Sequence, residues 1–289
     1  MFSNGTFLFS SAEPAVIFYN FRFPKAINAF SAGAVLSIAG LIMQNIFKNP
    51  LAGPDVLGIS QGASLAVALS ILAGVGFGGI GIMAVLGALA YLLFLLWISK
   101  FVHSAVTLLL IGVMGGFVIS AFISTLEVFS NAERLKSFVM WNMGSFSKSS
   151  LEQTTTWGAV LPIVLLGSTL LSTKLDVLLL GNNQAQLLGV NGKKVMFFGI
   201  LIAGVSIGTS IALCGPVAFV GLVAPHLAKW LLKTYKHKVL IAGSAIIGGI
   251  ICLLADFLST GLFGPVLPLN ATLSILAAPV ILFVILKRV

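Results

Sequence analysis

The sequence predicts an all-α, polytopic transmembrane helical bundle, and three observations carry that prediction. The chain has 289 residues, of which 58% are hydrophobic. Only 8% are charged, against about 25% in ordinary soluble domains. The apolar residues run on without interruption, near the length that a bilayer core of about 30 Å demands of a helix. A transmembrane barrel would instead alternate apolar and polar residues with a period of two. Mean hydropathy is +1.13. A soluble enzyme, a disordered chain and a fibrous protein are excluded on these grounds. The net charge of +9 lies in short loops between apolar runs. It points to lipid headgroups as the partner and not to nucleic acid.

Nine spans are predicted, in one integral unit over residues 1–289 with no boundary between soluble domains. They cover residues 26–47, 56–72, 77–98, 106–126, 154–171, 195–213, 217–232, 239–258 and 267–286. Two of the nine are weak. Residues 56–72 are short and carry Ser60 and Gln61, and residues 217–232 contain Pro225 and His226, which predicts a bent or partial crossing. Gly53-Pro54, Gly215-Pro216 and Gly264-Pro265 break helices at span ends. Glycines spaced at four, such as Gly58/Gly62, Gly74/Gly78, Gly112/Gly116 and Gly204/Gly208, predict close backbone approach between helices in lipid.

Orientation follows from the basic residues. With the C-terminus on the cytoplasmic side, eleven Lys and Arg fall inside and five outside, as the positive-inside rule requires. The inner set includes Lys48, Lys100, Lys174, Lys193, Lys194, Lys229 and Lys233; the outer set is Arg22, Lys25, Arg134, Lys136 and Lys148. The N-terminus then lies outside, although the first twenty residues lack a basic n-region and are interrupted by Glu13 and Pro14, unlike a signal peptide.

Several chemistries are not encoded. There is no phosphate-binding loop, since the string from Gly189 to Lys194 lacks the spacing and the hydroxyl. No zinc-protease motif and no nucleophile elbow occur. Cys214 and Cys252 are far apart in sequence and read as buried small hydrophobes. Asp256 is the only acid well inside an apolar run, near the outer end of its helix, and reads as a hydrated or hydrogen-bonded end residue. An ion-coupled secondary transporter would carry mid-membrane ionisable groups. Any pumping therefore needs energy from a partner, and no cofactor or metal is expected in this chain.

Four strings occur in order along the chain. The first is Arg22-Phe23-Pro24-Lys25, followed by a helix ending at Gln44 and by Asn49-Pro50-Leu51-Ala52-Gly53-Pro54-Asp55-Val56-Leu57-Gly58. The second is Trp141-Asn142-Met143-Gly144-Ser145, and the third is Leu180-Gly181 with Ala185 and Leu188-Gly189. The fourth is Gly215-Pro216 through Pro225-His226, with Ala255-Asp256 and Leu267-Pro268 beyond it. Together they resemble the FecCD-type permease subunits of type II ABC importers for iron-siderophores, haem and cobalamin.

The resemblance implies a ten-helix subunit paired with a second permease, either an identical copy or a paralogue. It also implies two cytoplasmic ATPase subunits, which hydrolyse the ATP, and an extracytoplasmic substrate-binding protein, all at a bacterial inner membrane. The match begins after the family's first helix, so residues 1–25 are expected to be the outer linker that follows it and residues 26–286 the bundle. By resemblance, Arg22 and Lys25 meet carboxylates of the binding protein. Asn49 and Leu51 form a cytoplasmic gate, with His103 and Ser104 as its second layer. Residues 175–191, through Leu180, Gly181, Ala185, Leu188 and Gly189, dock into the ATPase. Pro225-His226 is a proline kink beside a capped histidine, without metal chemistry. The expected cargo is an iron chelate, with haem or cobalamin next. Departures from the family pattern at Lys25, Thr260 and Val266 bear on binding-protein docking.

Overall fold

The computed structural model describes residues 16–76, 79–102, 104–147, 149–261 and 267–286. His103, Gly78, Lys148, Gly264-Pro265 and Val266, and the expected outer linker up to residue 15, lie outside the described residues. Among the described residues the regular structure is helical throughout. A π-helical turn, Phe18–Arg22, leads into α1, Phe23–Ile46. There follow a 3-10 turn at Pro54–Leu57, then α2 (Ile59–Ile71), α3 (Ile80–Ile98), α4 (Ala105–Val128) and α5 (Ala132–Asn142). The rest comprises α6 (Leu151–Leu179), α7 (Asn182–Leu187), α8 (Gly192–Cys214), α9 (Val220–Leu232), α10 (His237–Gly261) and α11 (Leu269–Leu286).

Six helical segments are long and apolar enough to cross a membrane: Phe18–Ile46, Ile80–Ile98, Ala105–Val128, Leu151–Leu179, Gly192–Cys214 and His237–Thr260. Three shorter apolar helices stand among them, Ile59–Ile71, Val220–Leu232 and Leu269–Leu282. The two weak spans of the sequence thus become half-length helices. Each has 13 residues, about 20 Å at 1.5 Å per residue, well short of the bilayer core. The apolar pattern at 154–171 understates α6, which runs to 29 residues. The helix α5 was not expected at all, because its sequence is polar and too short to signal a span.

Short polar residues start the helices. Ser104, Asn131, Ser150 and Asn191 each accept a bond from a first-turn backbone N–H with a side-chain oxygen, for α4, α5, α6 and α8. Those N–H groups have no partner within the helix itself.

The helix α1 is the hub of the bundle. It packs against α6, α8, α9 and α10, and 83% of the most apolar window of its span is buried, against 17% for α4. Small residues allow this crowding. A Cβ on Gly33 would strike the carbonyl of Gly248 in α10, and one on Gly40 the carbonyl of Gly221 in α9. The same holds elsewhere: Gly62 packs on Gly87, and Gly204 on Leu92. Close backbone contact replaces the hydrophobic drive that lipid does not supply.

Ion pairs and hydrogen bonds sort the two ends of the bundle. Lys25 at the start of α1 pairs with Asp256 near the end of α10 at 3.0 Å. Arg134 of α5 donates to the carbonyl of Leu72, just past α2, at 3.2 Å. These mark one end, called the Arg22 end. The opposite end, called the Lys48 end, holds the last turn of α1, the start of α4, α7, and Lys229 and Lys233 at the close of α9.

Replacing Gly40 by Val forces α1 and α9 apart. An overpacking cost of about 1–3 kcal/mol is expected, read as a lower thermal midpoint and a smaller monodisperse fraction in detergent. Gly158→Ala is the control, since a Cβ there meets nothing within 4 Å; it should leave both readings unchanged.

Candidate functional site

Two breaks in helical structure build the site. After α1 the chain turns at Phe47 and Lys48, and Lys48 takes a left-handed backbone with φ 49°. Asn49 Oδ1 then accepts the N–H of Leu51 at 2.9 Å, closing a turn. The 3-10 turn follows, and Gly58 starts α2 with φ 80°. A side chain there would strike Tyr91 and the Gly112 carbonyl. Gly112 and Tyr91 lie well inside α4 and α3, so α2 begins at depth within the bundle. Tyr91 itself donates to the Gly112 carbonyl at 2.8 Å, tying α3 to α4.

The second break lies between α8 and α9. Gly215 has φ 73° and Phe219 φ 67°. Asn270, in the first turn of α11, supplies the missing partners. Its Oδ1 accepts Ala218 N–H at 3.1 Å, and its Nδ2 donates to Pro216 O at 3.0 Å and Asn142 O at 3.3 Å. Ser145 N–H donates to Cys214 O at 2.9 Å. One asparagine therefore fastens the end of α5 and the break before α9 together. Sequence reading passed it over; its signal was a lone amide opening an apolar run, Leu269-Asn270-Ala271.

Between the two breaks lies a cavity of about 340 Å³. Asp55, Ser60, Gln61 and Ser64 line it from the first break and α2, and Ser120, Ser124 and Glu127 from α4. Asn142, Pro216 and Ala218 close it. Ser60 Oγ donates to Asp55 Oδ1 at 3.1 Å. Hydroxyls, amides and two carboxylates stand in this lining beside Ile123, Phe138 and Val217, with no Lys or Arg among the lining residues. Polar and apolar side chains share this wall. Polar groups at this depth are tolerated when they face protein or a water-filled cavity, not lipid.

A second cavity of about 760 Å³ lies at the Lys48 end. Its wall includes Phe47, Lys48 and Ser104 on one side, and Leu178, Gln186, Gly189 and Lys193 on the other. Of the expected gate residues Ser104 lines this space, and of the expected coupling residues Gly189; Asn49, Leu51, Leu180, Gly181, Ala185 and Leu188 are not part of its wall. Leu51 is 46% exposed at this end. His226 Nε2 donates to the Pro50 carbonyl at 2.8 Å, so α9 holds the Asn49–Leu51 turn. Ser104 acts locally as the cap of α4, its Oγ accepting Thr107 N–H at 3.4 Å.

The expected coupling segment projects from the Lys48 end as a single short helix, α7, between two left-handed glycines, Gly181 (φ 108°) and Gly189 (φ 77°). Ala185 is buried, whereas Leu180, Leu187 and Leu188 are exposed, Leu187 by 87%. Apolar side chains at the tip of a polar loop form the kind of patch that marks an interaction site. At the Arg22 end, Arg22 is exposed, while Lys25 is mostly buried in its pair with Asp256. No group of three or more His, Cys, Asp or Glu able to hold a metal occurs among the described residues.

This architecture of long and shortened apolar helices around a cavity with hydrogen-bonding groups in its wall is that of a membrane permease. The model of the FecCD transport family matches residues 2–287, and the chain belongs to that family. It is 33% identical over 281 residues to the vitamin B12 import system permease protein BtuC of Salmonella typhi, covering 96% of this chain and 86% of that one. Identity to the hemin transport system permease protein HmuU of Yersinia pestis is 32%, covering 94% and 84%. Identity to the uncharacterized ABC transporter permease protein YvrB of Bacillus subtilis (strain 168) is 36%, covering 94% and 79%. Among solved structures, an inward-facing metal-chelate type ABC transporter superposes with a TM-score of 0.89 at 26% identity, covering 100% of this chain and 93% of that one. The chain is thus a permease of the ABC importer class.

Asn270→Ala leaves the Ala218 N–H and two carbonyls without their protein partner. A loss of about 1–3 kcal/mol is expected for such orphaned buried groups, measured as the thermal midpoint in detergent. Asn270→Asp should cost more, because a carboxylate would face the carbonyls of Pro216 and Asn142.

Proposed function

We propose that this chain moves an iron chelate across a bacterial inner membrane by alternating access, as one half of a permease pair. The carrying observation is the cavity between the two breaks, whose wall sets hydroxyls, amides and carboxylates among apolar side chains. It offers hydrogen-bonding groups at membrane depth, where a translocation path needs them and lipid contact forbids them. The family relatives named for vitamin B12 and hemin keep haem and cobalamin as alternative cargoes of the same machinery.

The Lys48 end is the cytoplasmic end in this reading, and the chain ends on that side. The basic residues concentrated there support it. Asn49 and Leu51 serve as the gate, with Ser104, and His103 beside it, as the second layer. Leu180, Gly181, Ala185, Leu188 and Gly189 dock with Leu187 into one of two cytoplasmic ATPase subunits, which hydrolyse the ATP. The exposed leucines of that segment support this role, since a bare apolar tip is stabilised by a protein groove. Arg22 meets a carboxylate of the extracytoplasmic binding protein, where a charge pair sets register and association rate. Lys25 contributes there in exchange with Asp256. The second permease, identical or paralogous, covers the face of α4, where Val106, Leu110, Met114, Phe117 and Phe122 are each more than half exposed.

The test is co-purification with the partner ATPase. The wild type should retain the ATPase in detergent. Leu187→Asp, or Gly181 and Gly189 both changed to Val, should abolish retention without aggregating the permease. Uptake of labelled ferric hydroxamate, hemin or cyanocobalamin should then be blocked by vanadate and not by an ionophore. Ionophore-sensitive, vanadate-resistant uptake would point to an ion-coupled transporter and sink the proposal.

A further inference from the structure

The last turn of α1 is gripped from two sides by polar groups other than the named gate and docking residues. On one side, Gln44 Nε2 donates to the Leu222 carbonyl of α9 at 3.1 Å, and its Oε1 accepts from Lys229 Nζ at 3.1 Å. On the other, Asn45 Nδ2 donates to the Leu175 carbonyl of α6 at 3.2 Å and contacts His237 Nε2 at 3.0 Å. His237 opens α10. Its backbone N–H donates to Asp176 Oδ1 of α6 at 2.9 Å, and its Nδ1 lies 2.6 Å from the same oxygen. The imidazole is almost fully enclosed, with the side chain 4% exposed.

The partners fix the protons. The Leu175 carbonyl can only accept, so the nitrogen of the Asn45 amide points to it. That same NH₂ reaches His237 Nε2, which must therefore carry a lone pair. The ring proton then sits on Nδ1 and is donated to Asp176. Each contact has one donor and one acceptor, and α1, α6 and α10 meet at a single ring.

The sequence positions give this node its meaning. Asp176 lies in the last turn of α6, inside the expected coupling segment and four residues before Leu180, the first of its named docking residues. Asn45 lies one helical turn before Asn49, where the gate begins. Apolar surfaces can slide past one another at small cost, whereas a buried hydrogen bond resists separation because both groups would be orphaned. We propose that His237 is a positioning residue that carries displacement of the coupling segment to the gate, receiving it through Asp176 and delivering it through Asn45. This rests on the gate and coupling roles proposed above.

The test reads the gate directly and needs no cargo. Leu51→Cys serves as reporter, since the native Cys214 and Cys252 are buried. The full chain is assembled with its ATPase, and thiol labelling is compared between nucleotide-free and vanadate-trapped states, with ATP hydrolysis measured on the same preparation. The parent should show a nucleotide-dependent change in labelling rate of about tenfold, a common size for coupling between sites. His237→Ala and Asn45→Leu should abolish that change while the ATPase stays bound and hydrolysis continues. Asp176→Ala should do the same. Asp176→Asn, which keeps an acceptor oxygen for both His237 donors, should behave as the parent. If His237→Ala keeps the full labelling change, the relay is wrong. If labelling change, hydrolysis and ATPase retention all fall together, and Asp176→Asn rescues nothing, His237 only supports the fold and the proposal is overturned. A parent that labels alike in both states overturns instead the gate reading on which the relay rests.

Discussion

Everything in this structure depends on one requirement: backbone polar groups at membrane depth must find partners inside the protein. Where the chain is helical, the requirement is met locally. At residues 47–58 and 215–219 it is met partly by local turns and partly by side chains from distant helices. Asn270 closes the second break, and His226 steadies the first through the Pro50 carbonyl. The breaks are what create the cavity. An unbroken helix would present side chains to its neighbours and leave no room among them, whereas a half-length helix leaves a vestibule lined by loop and helix start.

The second determinant is crowding around α1. A helix with neighbours on nearly every side must be thin where they cross, and Gly33 and Gly40 make it so. Burial this complete also means that polar residues on α1 must be paired internally. Gln44 is paired to α9, and Asn45 through its Nδ2 to α6 and α10, whereas Asn45 Oδ1 finds no hydrogen-bond partner; the end of α1 is thereby held to three helices. The least buried of the six long spans, α4, carries small residues on one face, toward α2 and α3, and large apolar ones on the other. That division suits a helix standing between its own subunit and a second one.

Charge is used sparingly and locally. The pair between Lys25 and Asp256 holds the start of α1 to the end of α10, so the single acid well inside an apolar run is accounted for without any ion pathway. The cavity lining, by contrast, holds Asp55 and Glu127 without a basic neighbour in that wall. Hydroxyls, amides and apolar side chains make up the rest of that wall.

The sequence by itself determined the helical class, the membrane solvent, the positions of the long spans and the two weak ones. Composition and run length report directly on the solvent a chain must live in. It also marked Gly181 and Gly189 as breaks around a short apolar segment, because a glycine flanking leucines signals a backbone turn without reference to anything distant. The exposed leucines of that segment were legible for the same local reason. What only the tertiary structure decided was pairing: that Lys25 meets Asp256, that Asn270 fastens two separate loops, and that Asn45, Asp176 and His237 converge on one ring. Each joins residues more than fifty positions apart, and a single polar residue in an apolar run looks the same whether it faces lipid, water or a partner. The length of α6 and the existence of α5 were likewise hidden, because hydropathy marks the bilayer and falls silent where a helix continues beyond it.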